Sequence, residues 1–272
     1  MMSFLLILVA PLLGGVLYGF ERFLKARIQN RQGPPILQPF YDVFKLLDKR
    51  PLMVHSLHVM LGVFHFIAIW LTLAVLLLGG DLLMVIFLHL LSSALLVIAG
   101  FSVNSVYSHI GGVRELLAIV AYEPILIFMA IAFYLITGSF EISVILQSEF
   151  SFLQLLPIFL ALLIALPLKL KKSPFDMAEA HQEIVGGVEI EYSGVFYEAL
   201  YTARWIEYIF IYSLIFLFAG DSYFFGFLLV IFSFFLVNLV DNSTARVNYK
   251  ETLKIVLIST LILGSINLFL LA

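Results

Sequence analysis

Long apolar runs dominate the chain, and its polar positions gather in the gaps between them. A helix needs about 20 apolar residues to cross a bilayer. Eight segments meet that length, near residues 2–23, 60–79, 82–101, 116–138, 152–170, 195–220, 223–240 and 253–271. The runs are continuously apolar and do not alternate, so helices and not barrel strands are expected. The expected fold class is all-α: a polytopic membrane protein with eight transmembrane helices and amphipathic loop helices, in one membrane domain over residues 1–272. The first 20 residues have no basic stretch before them and basic residues after them, which reads as a first spanning helix and not as a cleavable signal.

The gaps differ in charge. Of 15 Lys and Arg residues, only Arg204 falls deep inside a span, and Arg22, Lys169 and Lys254 stand one residue from a span end. The rest lie in or beside gaps 24–59, 102–115, 171–194 and 241–252. The intervening gaps, around 80–81, 139–151 and 221–222, carry no Lys or Arg, and their charges are Asp81, Glu141, Glu149 and Asp221. The positive-inside rule makes the basic gaps cytoplasmic and puts both termini outside. The basic loops are the longer and chemically richer ones, so recognition is expected from the cytoplasmic side.

Composition sharpens the class. The 272 residues are 62% hydrophobic and 12% charged, against roughly 45–50% and about 25% in a soluble domain. That excludes a soluble enzyme, a nucleic-acid binder and a disordered chain. Cysteine is absent, which excludes disulfides, thiolate nucleophiles and Cys-held clusters in this chain. No cofactor is expected here; any clusters must sit in another subunit.

Several polar residues fall where lipid-depth sequence should be apolar. Glu123 lies in the run Ala121-Tyr122-Glu123-Pro124, roughly 10 Å from the basic end of its span at 1.5 Å per residue. A carboxylate there is costly to ionise and should face protein or water. It reads either as a proton-handling group beside a proline kink or as a buried carboxyl bonded to a neighbouring helix. The sixth span carries Glu198, Arg204 and Glu207, with hydroxyls from Tyr197, Tyr201 and Tyr208. Arg204 and Glu207 are three apart and can pair, either as a self-neutralised structural couple or as part of a hydrated path.

The third basic gap is the densest. Asp176, Glu179, His181, Glu183, Glu189 and Glu191 fall within 16 residues. Ser173-Pro174 followed by Asp176 predicts a helix start, and Asp176, Glu179 and Glu183 form one acidic stripe on it. Gly186-Gly187 ends the helix. Acids this close should titrate as a coupled set. A solvated acidic loop is the alternative, but Phe175, Met177, Ile184, Val185, Val188 and Ile190 are too apolar for one, so the loop is expected to tuck back into the membrane face. His181 and Glu183 lack a metal-site spacing, and no metal is expected. The histidines in spans read better as packed between helices than as a haem pair. In the first gap, Gly33-Pro34-Pro35 breaks the chain. After Pro39, Phe40, Val43, Phe44 and Leu47 recur at helical spacing, with Asp42, Lys45 and Asp48 opposite, as in an interfacial helix.

Two loops carry a family likeness. Arg27-Ile28-Gln29-Asn30-Arg31-Gln32-Gly33-Pro34 resembles the first-loop signature of the H-type membrane subunit of bacterial complex I and its mitochondrial counterpart. Pro174-Phe175-Asp176 with Glu179, Glu183, Gly186-Gly187 and Glu191-Tyr192-Ser193-Gly194 resembles the third-loop signature. Tyr122-Glu123 and Glu207-Tyr208 match its fourth and sixth helices. Pro34-Pro35, Leu37-Gln38-Pro39-Phe40 and the short length are similar to the branch in energy-converting nickel–iron hydrogenases and formate hydrogenlyases, with a sister branch in sulfane-sulfur reductases. His181 stands where complex I members carry a third acid, and Arg204 lies outside the general pattern.

The resemblance implies a subunit of a prokaryotic, ion-translocating oxidoreductase complex in the cell membrane, with no redox centre of its own. Partners would be the iron–sulfur subunit and the large catalytic subunit of a hydrophilic arm, which hold iron–sulfur clusters and a NiFe centre. Antiporter-like and small membrane subunits would move H⁺ or Na⁺, with electrons from ferredoxin. Glu123, Asp176, Glu179, Glu183, Glu191, Glu198, Arg204 and Glu207 would couple redox chemistry to ion movement. Arg27, Arg31, Gly33, Pro34, Phe175 and His181 would dock the arm. The rival readings are a sulfane-sulfur reductase subunit, the quinone-site membrane subunit of complex I, a purely structural anchor and a stand-alone secondary transporter, the last of which should show an internal repeat.

Overall fold

A computed structural model describes residues 2–271, with side chains from residue 5 onward. In chain order its helices are α1 (Met2–Ile28), α2 (Gln38–Asp48), α3 (Ser56–Leu77), α4 (Leu82–Phe101), α5 (Val106–Thr137), α6 (Ile142–Ile145), α7 (Leu156–Lys169), α8 (His181–Ile184), α9 (Gly194–Phe216), α10 (Tyr223–Ser243) and α11 (Tyr249–Leu271). Short 3₁₀ turns precede α7 at Phe152–Leu155, precede α9 at Gly187–Glu191 and follow α9 at Leu217–Ala219. Among the described residues, eight helices are long and apolar enough to cross a membrane. Among the described residues, isolated strand pairing is an antiparallel bridge between Asp81 and Glu141.

Several span ends shift by three to five residues, as where α1 runs on to Ile28 and α3 starts at Ser56, and two departures are larger. The gap expected at 102–115 is mostly helix, because α5 already starts at Val106. The charges of Arg114 and Glu115 suggested a loop, yet Arg114 is neutralised by Glu183 at 2.6 Å, which lets the helix carry it. The helix expected to start at Ser173-Pro174 does not form. Those residues turn, the Ser173 N–H donates to Asp241 Oδ1 at 3.0 Å, and the Val247 N–H donates to the Pro174 carbonyl at 2.9 Å. Helix is confined to His181–Ile184, and Val185, Gly186 and Gly187 follow with positive φ.

The chain divides into two compact units. The first comprises residues up to Leu77, Leu88–Leu116 and Ala178–Phe210. Its core packs Leu61, Leu96, Ala99, Val188, Tyr192 and Leu200. Gly14 lets α1 approach α9 closely, since a Cβ there would meet the Trp205 carbonyl. Gly111 does the same for α5 against Gly187 and Val188. These contacts seat the third loop on the helices, as its apolar residues led one to expect: Ala180, Ile184 and Val188 are buried.

The interfacial helix α2 also belongs here. Asp42 on its polar side accepts from Arg22 of α1 at 2.9 Å, from Gln38 at 3.0 Å and from Tyr201 of α9 at 3.3 Å. Burial alone would raise the Asp42 carboxyl, but the bonds from Gln38 and Arg22 outweigh it and hold the group below its ordinary range. Tyr41, Phe44 and Leu47 face outward. The helix therefore turns Asp42 to the protein and stands Tyr41, Phe44 and Leu47 away from it, where an interfacial helix can meet a bilayer, while Phe40 packs inward on Trp205 with ring centres 5.1 Å apart and Lys45 and Asp48 are exposed.

The second unit comprises Leu78–Phe87, Leu117–Met177 and residues from Ile211 on. Phe133 and Phe159 each stack edge-on against Phe218 at 5.3 Å. Along α11 the buried residues are Thr252, Val256, Thr260, Gly264 and Asn267, one per turn, and this face packs on α7. Asn267 donates to the Gln154 carbonyl at 2.6 Å. Small and polar residues on such a face are what helix association in lipid favours, since burial of apolar surface drives nothing there.

Candidate functional site: charged clusters within the spans

In the first unit the third loop delivers two carboxylates to one guanidinium. Arg204 of α9 reaches Glu179 at 2.8 Å through Nη2. It also forks onto Glu189, with Nε donating at 3.2 Å and Nη2 in a shorter contact. The Arg204 side chain is 23% exposed, Glu179 11% and Glu189 10%. A guanidinium suits this role because its planar donors engage carboxylates bidentately. The spacing had suggested Glu207 as the partner of Arg204. The structure gives Arg204 to Glu179 and Glu189, and sets Glu207 3.9 Å from His89 of α4.

The predicted acidic stripe is thereby replaced. Glu179 goes to Arg204, Glu183 to Arg114, and Asp176 to Arg246 at 2.6 Å. A helical stripe would have left three like charges side by side. The turn structure separates them onto three arginines, which lowers their mutual repulsion.

A cavity of about 320 Å³ opens beside the Arg204 cluster, lined by Leu46, Lys49, His181, Glu189, Tyr192 and Tyr197 among others. Tyr192 donates to the His58 carbonyl at 2.7 Å. Burial, reinforced by the charge of Glu189, pushes its hydroxyl up, so it stays protonated and donating. Glu191 ends the 3₁₀ turn next to Tyr192 and is partly exposed, and Glu198 accepts from Thr202.

The second unit holds a simpler arrangement. Glu123 is buried on α5, in electrostatic reach of Lys169 at the end of α7. Lys169 donates to the Tyr122 hydroxyl at 3.2 Å, and its ammonium sits 4.6 Å from the centre of that ring. Pro124 lies inside α5 without ending it.

The residues expected to dock a partner are dispersed by exposure. Arg27, Arg31 and His181 are exposed, and Gly33 and Pro34 partly so. Phe175, expected at the docking face, is buried, as is Met177, whereas the loop's Val185 and Ile190 are exposed. Sequence reasoning missed Lys169, counted there as a loop charge, and Glu21, a buried carboxylate on α1. Glu21 was detectable as an acid within an apolar run; nothing in the sequence brings Lys169 to Glu123. Among the described residues, no three His, Asp or Glu group as metal ligands would.

Eight spanning helices with charge pairs inside them and loop acids folded onto helix arginines define an integral membrane subunit whose interior carries charge. The chain belongs to the NADH dehydrogenase family, whose model matches residues 1–272. It is 34% identical over 211 residues to formate hydrogenlyase subunit 4 of Escherichia coli (strain K12), covering 71% of this chain and 67% of that one. It is 29% identical over 237 residues to the H-type subunit of the NADH-quinone oxidoreductase of Acidovorax sp. (strain JS42), covering 73% and 66%. The matched part spans about two thirds of the length of these relatives. Among solved structures, a chain of the membrane-bound sulfane sulfur reductase, an archaeal respiratory membrane complex, superimposes with a TM-score of 0.88 at 25% identity, covering 99% of this chain and 98% of that one.

Proposed function

We propose that this chain is the membrane anchor and coupling subunit of a complex I-like energy-converting complex of the membrane-bound hydrogenase or sulfur-reductase type. Its basic loops face the cytoplasm and hold a hydrophilic arm in which an iron–sulfur subunit and a large catalytic subunit take electrons from ferredoxin. Antiporter-like and small membrane subunits beside it move H⁺ or Na⁺. The clusters and any NiFe centre belong to the arm; this chain supplies charge and proton-bearing groups.

The observation that carries the reading is the Arg204 cluster. Glu179 and Glu189 come from the loop, whereas Arg204 stands on a spanning helix. A change of charge or position in the loop therefore alters the compensation of a cation held inside a span. The adjoining cavity lies where an arm seated on His181, Val185 and Ile190 would act on Glu189. Relatives in both hydrogenlyase and quinone-linked complexes support the general role, and coverage of nearly all of the sulfane sulfur reductase chain supports the shorter branch.

The test is purification of the full chain from its native membrane in mild detergent. A nickel–iron or sulfur-reducing large subunit, an iron–sulfur subunit and antiporter-like chains should co-purify. Recovery of this chain by itself, moving ions without any redox partner, overturns the reading.

A further inference from the structure

Three histidines lie within α3 and α4: His58, His65 and His89. His58 Nδ1 is 3.0 Å from the Ala99 carbonyl, and His65 Nδ1 is 2.8 Å from the Ser92 carbonyl. A carbonyl oxygen only accepts, so both rings carry a proton on Nδ1. The Ser92 hydroxyl in turn donates to the His65 carbonyl at 3.0 Å. These two histidines are used as backbone ties between α3 and α4.

His89 is placed differently. It is fully buried, and its ring lies flat on Phe210, with centroids 4.8 Å apart and planes 13° from parallel. Its Nε2 is 3.9 Å from Glu207 Oε1. Glu207 and Phe210 are three apart on α9, so one face of that helix presents both the ring that holds the imidazole and the carboxylate at its edge. The separation exceeds a hydrogen bond, and a small side-chain rotation closes it. Arg204, with Glu179 and Glu189, stands one turn before Glu207 on the same helix, and His65 lies across from α4 through Ser92.

Either group charged by itself is costly at this depth. Together they have two forms of equal net charge: imidazolium with carboxylate, and imidazole with carboxylic acid. We propose that His89 and Glu207 share one proton. The Glu207 Oε1–H bond breaks as the His89 Nε2–H bond forms, and the reverse step restores it, with His89 holding its other proton on Nδ1. The pair then moves a proton between two spanning helices without creating a net charge inside the membrane. The proton sharing rests on geometry; its consequence for ion transport rests on the coupling reading above, in which Glu207 is one of the acids.

The test uses the full chain in its complex, labelled with ¹⁵N-histidine and placed in lipid nanodiscs. His89→Gln identifies the His89 imidazole resonances by their loss. Glu207→Gln should displace those resonances, whereas Glu251→Gln, an exposed acid paired with Lys254, should leave them in place. Should Glu207→Gln fail to assemble, Glu207→Asp keeps the acid, lengthens the gap and should still displace them. Independently, the infrared carboxyl band lost in Glu207→Gln should change frequency in His89→Gln. Unmoved His89 resonances, or an unshifted Glu207 band, overturn the proposal. If spectra shift while redox-driven ion uptake is unchanged in His89→Gln, the shared proton stands and the coupling role of Glu207 falls.

Discussion

The two units handle buried charge in contrasting ways. In the first, one guanidinium is held by two carboxylates from a loop, beside a cavity and a bidentate contact. In the second, one carboxylate faces one ammonium, and the ammonium is further engaged by a tyrosine on the carboxylate's own helix. The first cluster is built from sequence-distant loop and helix residues and has an excess negative charge. The second lies wholly at helix positions and balances to zero. Control can therefore enter the two at different points. The Arg204 cluster can be altered by anything that moves the loop, while the Glu123–Lys169 pair is altered by protonation or by motion of α5 against α7.

The largest expected effect comes from removing Arg204. Arg204→Met removes the guanidinium that engages both Glu179 and Glu189 in a largely buried site, a change that costs about 3–5 kcal/mol. The purified protein should lose most of its thermal stability in detergent, and Arg204→Lys, which cannot fork onto Glu189, should recover only part of it. An Arg204→Met protein that melts like the parent would show that the cluster is not a stability element and erase the contrast between the units.

Next comes Glu123. Glu123→Gln keeps size and hydrogen bonding while removing titration. Redox-driven ion uptake by inverted vesicles should fall about tenfold or more, which corresponds to ~1.4 kcal/mol on a transition state, while the complex still assembles. Adding Lys169→Gln should restore charge balance without restoring uptake. Restored uptake in the double variant would mean that the pair serves structure alone.

A smaller effect separates three independent ion pairs from one acidic stripe. Asp176→Asn, Glu179→Gln and Glu183→Gln each break a bond to a different arginine, so their effects on melting should add, as sites without shared partners do. Glu183→Gln should be mildest, at about 1 kcal/mol or less, because Glu183 is 48% exposed. Strong non-additivity would restore the coupled stripe.

The smallest effect concerns α2. The Asp42 carboxyl is held below its ordinary range in the folded protein. Its contribution is therefore fully present above the unfolded carboxylate range and is lost as pH falls through the lowered value. Hydrogen exchange of α2 amides, taken relative to the intrinsic amide rate at each pH, should quicken at acid pH, by a margin of about 1 kcal/mol or less for a partly exposed pair. Asp42→Asn should quicken it at neutral pH and flatten the pH dependence.

Much of the fold was legible in the apolar runs, because a bilayer permits few ways to satisfy a backbone. Eight spans, the interfacial helix after Pro39 and the buried character of the third loop all follow from that constraint. The loop signatures likewise led to the family. The partners of the charges were not legible. Arg204 and Glu207, three apart on α9, are neighbours by spacing, yet Arg204 turns to residues 15 and 25 positions earlier and Glu207 lies near a histidine on α4. Lys169 reaches Glu123 only because α7 ends beside α5. Asp176, Glu179 and Glu183 share a helical period that the backbone never adopts.

The sequence by itself determined which segments enter the membrane and which residues are out of place there, since both depend on local transfer free energies summed along the chain. Tertiary structure alone decided which charge meets which, because Coulomb interactions and hydrogen bonds depend on distances of a few ångströms between residues that helix packing, and not sequence spacing, brings together.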